Sequence, residues 1–461
     1  MSSEKSLPTQ LKEIFVLVLP AILEFAFQVM VNYSDYIMVG GLGIDASATI
    51  GITNEVSFLI KAGVNALGIG VVAYIAKEIG AGNRKQLKPA VVQAYVLTMV
   101  IGTLTTVIPL LISPVLPGLL GAEEPLRRPA SVYFAISSVS GIFFAFNVVA
   151  GSVRKATKDM KTPLLINGIV NVLNVIFNWF FIYPDLSLRI GGTEVSIPRA
   201  NMGVTGAAVG TALSVALGGV LMVVVNERVE DLSVRRMKKH LDMKIMKAYI
   251  AVGIPAFLTA IVTSFGRVIF TSMIIPLGTQ IYAAHSIAFN AESAFYIPAV
   301  GMANAVAVMS GNVRGERDLR KLNRQTNLVC LLISGIMLVA SVVMLLFAEP
   351  IISVFTSDAD TIRLSSSLLR IVAVNEPMFG ISIVMQYVFN GIGRTKPPLF
   401  ISAFTQWAIR VLGVFVLVSV LGFGIHAAWI CMIADNIVRA VLLYAWYWMS
   451  NRKLIVQKTG M

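Results

Sequence analysis

The first apolar run of the chain decides its fold class. Residues 14–39 read IFVLVLPAILEFAFQVMVNYSDYIMV, and a predominantly apolar run of roughly 20 residues can cross a bilayer as an α-helix. Comparable runs recur to the C-terminus. The chain of 461 residues is 56% hydrophobic and 13% charged, with a mean hydropathy of +0.80, whereas about 25% of the residues of soluble domains are charged. We predict an all-α polytopic membrane protein and exclude a cytosolic enzyme, a disordered chain and a disulfide-rich secreted domain.

Breakers between the apolar runs divide the chain into twelve predicted transmembrane helices. They are 14–39, 51–76, 90–112, 131–152, 162–183, 203–226, 246–275, 281–312, 326–348, 366–390, 398–420 and 425–449. Most of the 37 Lys and Arg residues fall in loops on one side of this topology, and cytoplasmic loops carry such an excess. Both termini are thus predicted to be cytoplasmic, in a plasma or inner membrane. The net charge of +13 is assigned to these loops rather than to a nucleic-acid partner.

The two halves of the chain resemble each other at a nearly constant offset. Pro20-Ala21 recurs as Pro255-Ala256, Leu42-Gly43 as Leu277-Gly278 and Pro163-Leu164 as Pro398-Leu399, each 235 residues later, and Gly82, Arg84 and Lys88 recur as Gly315, Arg317 and Lys321, 233 residues later. Because each half holds an even number of helices, the repeat is parallel, and such repeats place the substrate site between the halves. We predict two six-helix bundles around a central cavity: an N-lobe (1–226), a basic cytoplasmic linker (227–245) and a C-lobe (246–461).

Polar side chains line one face of the first predicted helix. Glu24, Gln28, Asn32 and Asp35 are spaced by four, four and three residues, which places them on one side of an α-helix. The fifth helix carries a similar row, consisting of Asn167, Asn171, Asn174 and Asn178. Ionisable groups inside a membrane are costly and mark functional sites by default. We interpret the two rows, with Thr211 at a similar depth, as a proton or cation site; the alternative is a hydrogen-bonded seam between helices.

The second half does not duplicate this row. At the offset of 235, Glu24 corresponds to Thr259 and Asp35 to Phe270. Glu292, Glu376 and Asp435 remain in the C-lobe, with Arg410 and Arg439 available as counter-ions. Glu292 and Glu376 are secondary candidates for the ion site, and buried ion pairs that hold helices together are the alternative. Glu55 and Lys61 in the second helix are open to the same two interpretations.

A proline lies inside the first helix. Pro20 removes one backbone hydrogen bond and clashes with the preceding turn, so a bend is expected there. We consider it a candidate hinge, with a static kink as the alternative.

Motifs of enzymatic chemistry are missing from the sequence. It contains no G-x-x-x-x-G-K-[ST], H-E-x-x-H, G-x-S-x-G or C-x-x-C pattern, which are signatures of nucleotide, zinc, acyl-transfer and redox sites. Three His and two Cys give no basis for a metal cluster. We therefore expect neither catalysis nor a cofactor. The energy for transport is expected to come from an ion gradient or from the gradient of the substrate itself.

These features resemble the multidrug and toxic compound extrusion (MATE) family over nearly the whole chain. The resemblance rests on Pro20, the basic linker and three segments, VNYSDYIMVG (31–40), NVLNVIFN (171–178) and GVTGAAVGT (203–211). It implies that Asp35 binds the coupling ion, H⁺ or Na⁺, and that Asn174, Asn178, the Thr211 hydroxyl and the Ala207 carbonyl complete that site. It also implies that Gln28 and Asn171 face the substrate, and the stripe on the first helix adds Glu24 and Asn32.

Many members of the family have Asp at the position of Asn178. The absence of that carboxylate here weakens the expected binding of Na⁺, so coupling to H⁺ is favoured. We predict an ion-coupled multidrug and organic-cation efflux antiporter that works by alternating access on small, cationic, amphipathic substrates, as a monomer in the lipid bilayer. A flippase for lipid-linked polysaccharide or peptidoglycan precursors is the alternative, and a channel or membrane enzyme is a third candidate.

Overall fold

The computed structural model describes residues 7–190, 193–235 and 241–459. Its first helices are α1 (Leu7–Gly40), α2 (Ile44–Gly80), α3 (Leu87–Ile112), α4 (Leu116–Leu119), α5 (Glu124–Val139), α6 (Gly141–Ala156), α7 (Lys161–Ile182) and α8 (Gly203–Glu227). The later ones are α9 (Met243–Ile274), α10 (Thr279–Phe295), α11 (Ile297–Glu316), α12 (Leu319–Leu346), α13 (Ala348–Ser353), α14 (Ala359–Ala373), α15 (Glu376–Gly391), α16 (Lys396–Phe404), α17 (Leu412–Val414) and α18 (Ile425–Thr459). Short 3₁₀ turns lie at Arg84–Gln86 and Ile275–Leu277.

One antiparallel hairpin lies between α7 and α8, in a segment that the sequence predicted as a loop. Its strands are β1 (Leu186–Ile190) and β2 (Thr193–Ile197). Leu186 pairs with Ile197 and Ile190 with Thr193. Apart from this hairpin, the regular structure of the described residues is helical, as predicted.

Nine helices in the described part of the chain are long and apolar enough to cross a membrane unaided, and three bent pairs supply further candidates. The pairs are α5 with α6 (43°), α10 with α11 (46°) and α14 with α15 (58°). Counting each pair as one span gives twelve, which is the predicted number. Two of the bends lie next to a proline: Pro298 begins α11 and Pro377 begins α15. Proline has no backbone N–H, so it cannot donate a hydrogen bond to the preceding helical turn.

The eleventh span departs from α-helical geometry. Two π-helical segments, Thr405–Val411 and Phe415–Val420, lie on either side of α17. The first of them carries Gln406 and Arg410. π-Turns are rare and frequently mark functional sites, which directs attention to the polar side chains of this span.

The described residues form two compact units. Unit A comprises the described residues within 23–75 and 83–250, and unit B comprises those within 1–22, 76–82 and 251–461. The helices α1, α2 and α9 therefore contribute residues to both units, whereas the lobes predicted from the sequence keep every helix whole.

Unit A depends on a close approach between α7 and α8. A Cβ atom on Gly206 would lie 2.3 Å from the carbonyl oxygen of Phe181, so a glycine is required at this crossing. Small residues at helix interfaces allow such backbone contact in membrane proteins. The buried Arg154 ties α6 to the end of α8, since it donates to Asn226 Oδ1 at 2.7 Å and to the Val225 carbonyl at 2.6 Å.

Unit B has an apolar core in which α10, α14 and α18 meet. Trp429 is fully buried there, and its indole N–H donates to Nδ1 of His285 at 3.2 Å. Phe270, Leu368 and Val372 belong to the same core. The hydrogen bond satisfies the polar atom that a buried tryptophan brings into an apolar region.

Three pairs of backbone conformations recur at the offset of the sequence repeat. The φ angles are 115° and 118° at Gly43 and Gly278, 76° and 59° at Gly82 and Arg317, and 68° and 65° at Lys158 and Gly393. Each pair is separated by 235 residues, and positive φ is uncommon outside glycine, so the two halves share these turns. The conformational equivalent of Gly82 is thus Arg317 rather than Gly315, which lies within α11.

Candidate functional site

Asp35 is joined to α7 and α8 through a chain of side-chain amides in unit A. The Nδ2 atom of Asn178 donates to Oδ1 of Asp35 at 2.7 Å and lies 3.4 Å from Oδ1 of Asn174. Asn174 Nδ2 donates in turn to the Thr211 hydroxyl at 3.1 Å and lies 3.4 Å from the Ser214 hydroxyl. Four residues predicted for the ion site therefore lie in one hydrogen-bonded cluster, which we call the Asp35 cluster.

The cluster combines buried amides with a more accessible acid. Asn178 is 0% exposed and Asn174 3%, while Asp35 is half-buried. Oδ1 of Asn178 is buried and has no hydrogen-bond partner among the described residues.

The position of Asn178 depends on a second close approach between α7 and α8. A Cβ atom on Gly210 would lie 2.4 Å from Oδ1 of Asn178 and 3.0 Å from its backbone nitrogen. No other residue leaves that space. The end of α7 is fixed to α1 as well, because the Tyr183 hydroxyl donates to the Met38 carbonyl at 3.0 Å.

Ser214 is a member of the cluster that the sequence interpretation missed. It lies three residues after Thr211, so the helical spacing that identified the asparagine row could have found it. Ala207, which was predicted to contribute a carbonyl, has its methyl group buried in an apolar cluster with Val39, Ala46 and Ile182. This packing places its helix beside the end of α1.

Glu24 belongs to a different cluster, although it shares a helix with Asp35. Its Oε1 accepts from Lys155 Nζ at 2.9 Å and from Asn167 Nδ2 at 2.8 Å. Asn147 Nδ2 donates to Oδ1 of Asn167 at 3.1 Å. The sequence of the first helix contains no cation near Glu24. The cationic partner is Lys155 in the last turn of α6, just beyond the predicted span 131–152. Glu24 is thereby charge-neutralised, so a bound substrate would meet an ion pair rather than a free acid.

The other candidates on α1 and α7 have fewer contacts. Gln28 is exposed and Asn171 is half-buried, as a surface accessible to substrate requires. The side chain of Asn32 lies outside the described residues. Pro20 is buried within a helix that continues on both sides of it, two residues before α1 leaves unit B at Ile22.

Three buried acids of unit B, namely Asp435, Glu292 and Glu376, differ in their partners. Asp435 is 0% exposed and forms ion pairs with Arg410 at 2.8 Å and Arg439 at 2.6 Å. Both arginines that the sequence offered as counter-ions are thus used by Asp435. Glu376 and Glu292 are 0% and 5% exposed, and neither Glu376 oxygen nor Oε2 of Glu292 accepts a hydrogen bond from any described residue.

A carboxylate hydrogen-bonded to an amide can bind a proton or a cation. Among the described residues, no group of three or more His, Cys, Asp or Glu side chains could hold a metal ion. The Asp35 cluster instead combines one acid with neutral amide and hydroxyl groups, which can exchange one positive charge for another.

Comparison with known proteins places this arrangement in a family. The MatE family model matches the chain twice, at residues 20–180 and 255–416. The "Probable multidrug resistance protein NorM" of Thermotoga maritima is 28% identical over 443 residues, covering 95% of this chain and 92% of that protein. The "Probable multidrug resistance protein YoeA" of Bacillus subtilis is 24% identical over 456 residues, covering 97% and 95%.

Solved structures have the same fold at low sequence identity. A multidrug resistance MATE family transporter of the MOP superfamily in an outward-facing conformation matches with a TM-score of 0.88 and 24% identity, covering 96% of each chain. A MOP superfamily transporter from Pyrococcus furiosus matches with a TM-score of 0.87, also at 24% identity and 96% coverage of each chain.

Proposed function

Because this chain belongs to the MatE family, we propose that it is an ion-coupled multidrug efflux antiporter that works by alternating access. The observation that carries the proposal is the contact of Asp35 with Asn178 inside a membrane-spanning helix bundle. Among the described residues, no Lys, Arg or His nitrogen lies within 4.0 Å of the Asp35 carboxylate. Its charge is therefore available to an ion or a substrate.

Exchange follows from the single negative charge of this acid. A proton and a substrate cation both neutralise Asp35, so the binding of one opposes the binding of the other. Protonation also weakens the hydrogen bond from Asn178, because charged acceptors form stronger hydrogen bonds than neutral ones. A ligand shifts a conformational equilibrium only through differential affinity, and in this proposal the contact between α1 and α7 provides that difference.

Coupling to H⁺ is favoured over coupling to Na⁺. Asn178 directs its amide nitrogen at Asp35, an arrangement that suits a carboxylate but opposes a cation between the two side chains. A hard metal cation prefers several oxygen ligands at once, whereas a proton needs only one carboxylate oxygen.

The proposal includes two lobes around a central cavity, with an N-lobe of residues 1–226, a linker at 227–245 and a C-lobe of 246–461. The double match of the family model, which starts at residues 20 and 255, supports this division. The turns shared at the same offset support it as well. We further propose a monomer in the plasma or inner membrane with both termini cytoplasmic.

Substrates in this proposal are small, amphipathic and cationic. The names of the two relatives, both probable multidrug resistance proteins, favour broad rather than single-compound selectivity. Exposed Gln28 and half-buried Asn171 offer neutral hydrogen bonds near Asp35, which would orient a cation without adding charge.

Efflux from proteoliposomes under imposed proton and sodium gradients tests the function. We expect a proton gradient to drive dye export by the wild-type protein and Asp35→Asn to abolish this export with the protein still folded and inserted. Asp45→Asn, which alters an exposed acid at the start of α2, is the matched control and should keep export. Wild-type rates in Asp35→Asn would exclude the coupling role, and lipid scrambling without dye export would favour a flippase.

A further inference from the structure

The second transmembrane helix exposes a polar stripe in unit A. Asn54, Glu55, Phe58, Lys61 and Asn65 are all exposed, and their spacing places them on one face of α2. The opposite face is buried and apolar, with Val64 at 0% and Leu67 at 4% exposure. A face that contacts lipid at this depth would be apolar, so the stripe is expected to border water or substrate.

Lys61 is the cation at the centre of this stripe. It lies near the midpoint of the span Asp45–Gly80, and its ammonium is 5.7 Å from the ring centroid of Phe144 on α6. It forms no hydrogen bond or ion pair with the residues that the structure describes. Its charge interacts electrostatically with that of Asp35, yet the two groups are not joined as an ion pair.

A lysine at mid-membrane without a direct anionic partner requires an explanation. Lys155, by contrast, is neutralised directly by Glu24 at 2.9 Å. Lys61 instead presents its ammonium beside an aromatic ring, an arrangement in which the ring face stabilises the cation without using its donors.

We propose that Lys61 and Phe144 form a subsite for a carboxylate carried by an aromatic substrate. The amine of such a substrate would be directed to Asp35, the carboxylate to Lys61 and the ring system to Phe144. The amine still competes with the coupling proton at Asp35, so exchange is preserved. This inference rests on the proposed efflux function and assigns to Lys61 and Phe144 the recognition of one end of the substrate.

The test compares a matched pair of dyes, a rhodamine with a free benzoate and its methyl ester. The two share the cationic ring system and differ only in the carboxylate. Binding is measured by fluorescence anisotropy with the purified protein in phosphatidylcholine nanodiscs, which carry no net-anionic lipid. The variants are Lys61→Met and Lys61→Arg, with Lys85→Met, an exposed loop lysine, as the control.

We expect Lys61→Met to weaken binding of the carboxylate dye by about tenfold, as the loss of one charged hydrogen bond implies. Binding of the ester should not weaken, because the lost ammonium group repels its cationic ring system. Lys61→Arg should retain the preference for the carboxylate dye, and Lys85→Met should bind both dyes as the wild type does. An unchanged ratio of the two affinities in Lys61→Met would overturn the inference and leave Lys61 as a counter-ion of Asp35.

Efflux of the ester dye from proteoliposomes separates this inference from the proposed function. Proton-driven export of the ester by both the wild type and Lys61→Met, combined with an unchanged affinity ratio, contradicts the subsite alone. No proton-driven export of either dye by the wild type contradicts the antiporter proposal, and with it the substrate class.

Discussion

The side-chain amide of Asn178 donates a 2.7 Å hydrogen bond to Oδ1 of Asp35, although the two residues are 143 positions apart in the chain. The donor is fully buried and is fixed by the close approach of Gly210. The acid is half-buried and therefore accessible. This asymmetry, a fixed donor facing an accessible acid, is what an exchangeable proton or cation site requires.

Alanine at Asn174, Asn178 or Thr211 should weaken coupling without abolishing it. Each substitution removes a dipole rather than a charge. The loss of one hydrogen bond to a charged group lowers an affinity by about tenfold. Asn178→Ala should have the largest effect because Asn178 contacts Asp35 directly. The measurement is the pH dependence of efflux for each variant, and three unchanged profiles would contradict the cluster.

Asn178→Asp should introduce a dependence on Na⁺. Two carboxylates would then face each other across the distance of the present hydrogen bond, and like charges this close resist joint ionisation. Either an additional proton or a sodium ion relieves the repulsion. We expect efflux by this variant to respond to a sodium gradient that leaves the wild type unaffected; an identical response of both proteins would count against the assignment of the ion site.

Gly210→Ala should destabilise unit A and impair coupling. The new Cβ would lie 2.4 Å from Oδ1 of Asn178, and overpacking of this kind costs about 1–3 kcal/mol. Gly168→Ala is the matched control, since a Cβ at this position on α7 has nothing within 4 Å. Thermal unfolding in detergent and proton-driven efflux are both measured. Equal behaviour of the two variants would show that the α7–α8 contact does not constrain Asn178.

Glu292→Gln and Glu376→Gln should keep proton-driven efflux. Three of their oxygens are buried and accept no hydrogen bond from a described residue, so a neutral isostere of the same shape removes no contact that the structure shows. The efflux rate at several proton gradients is the readout. A loss in Glu376→Gln as complete as that in Asp35→Asn would assign a coupling site to unit B.

Pro20→Ala should lower the rate of efflux more than the affinity for substrate. The missing backbone hydrogen bond makes α1 easier to bend at this point, close to the residue at which the helix passes from unit B to unit A. Pro109→Ala, which alters a proline inside α3 of unit A, is the control and should keep the wild-type rate. Full efflux by Pro20→Ala, with the same curvature of α1 at low and high pH in both proteins, would leave Pro20 as a static kink.

The sequence by itself determined that this is a helical membrane protein, and it predicted twelve spans and a repeat at an offset of 235; the structure gives twelve spans when each bent pair counts as one. These follow from local properties: apolar run length set by bilayer thickness, and the turn residues that recur at the offset of 235. It also selected Asp35, Asn174, Asn178 and Thr211, because helical periodicity places polar side chains on one face of each helix.

Only the tertiary structure decided which of these polar groups contact each other. Glu24 and Asp35 lie on the same face of α1, yet Glu24 pairs with Lys155 while Asp35 contacts Asn178. A hydrogen bond depends on distances of about 3 Å between atoms, and helix crossings that depend on single glycines set those distances. Periodicity within one helix carries no information about the helix that packs against it, so neither the ion pair of Lys155 with Glu24 nor the contact of Lys61 with Phe144 could be read from the chain.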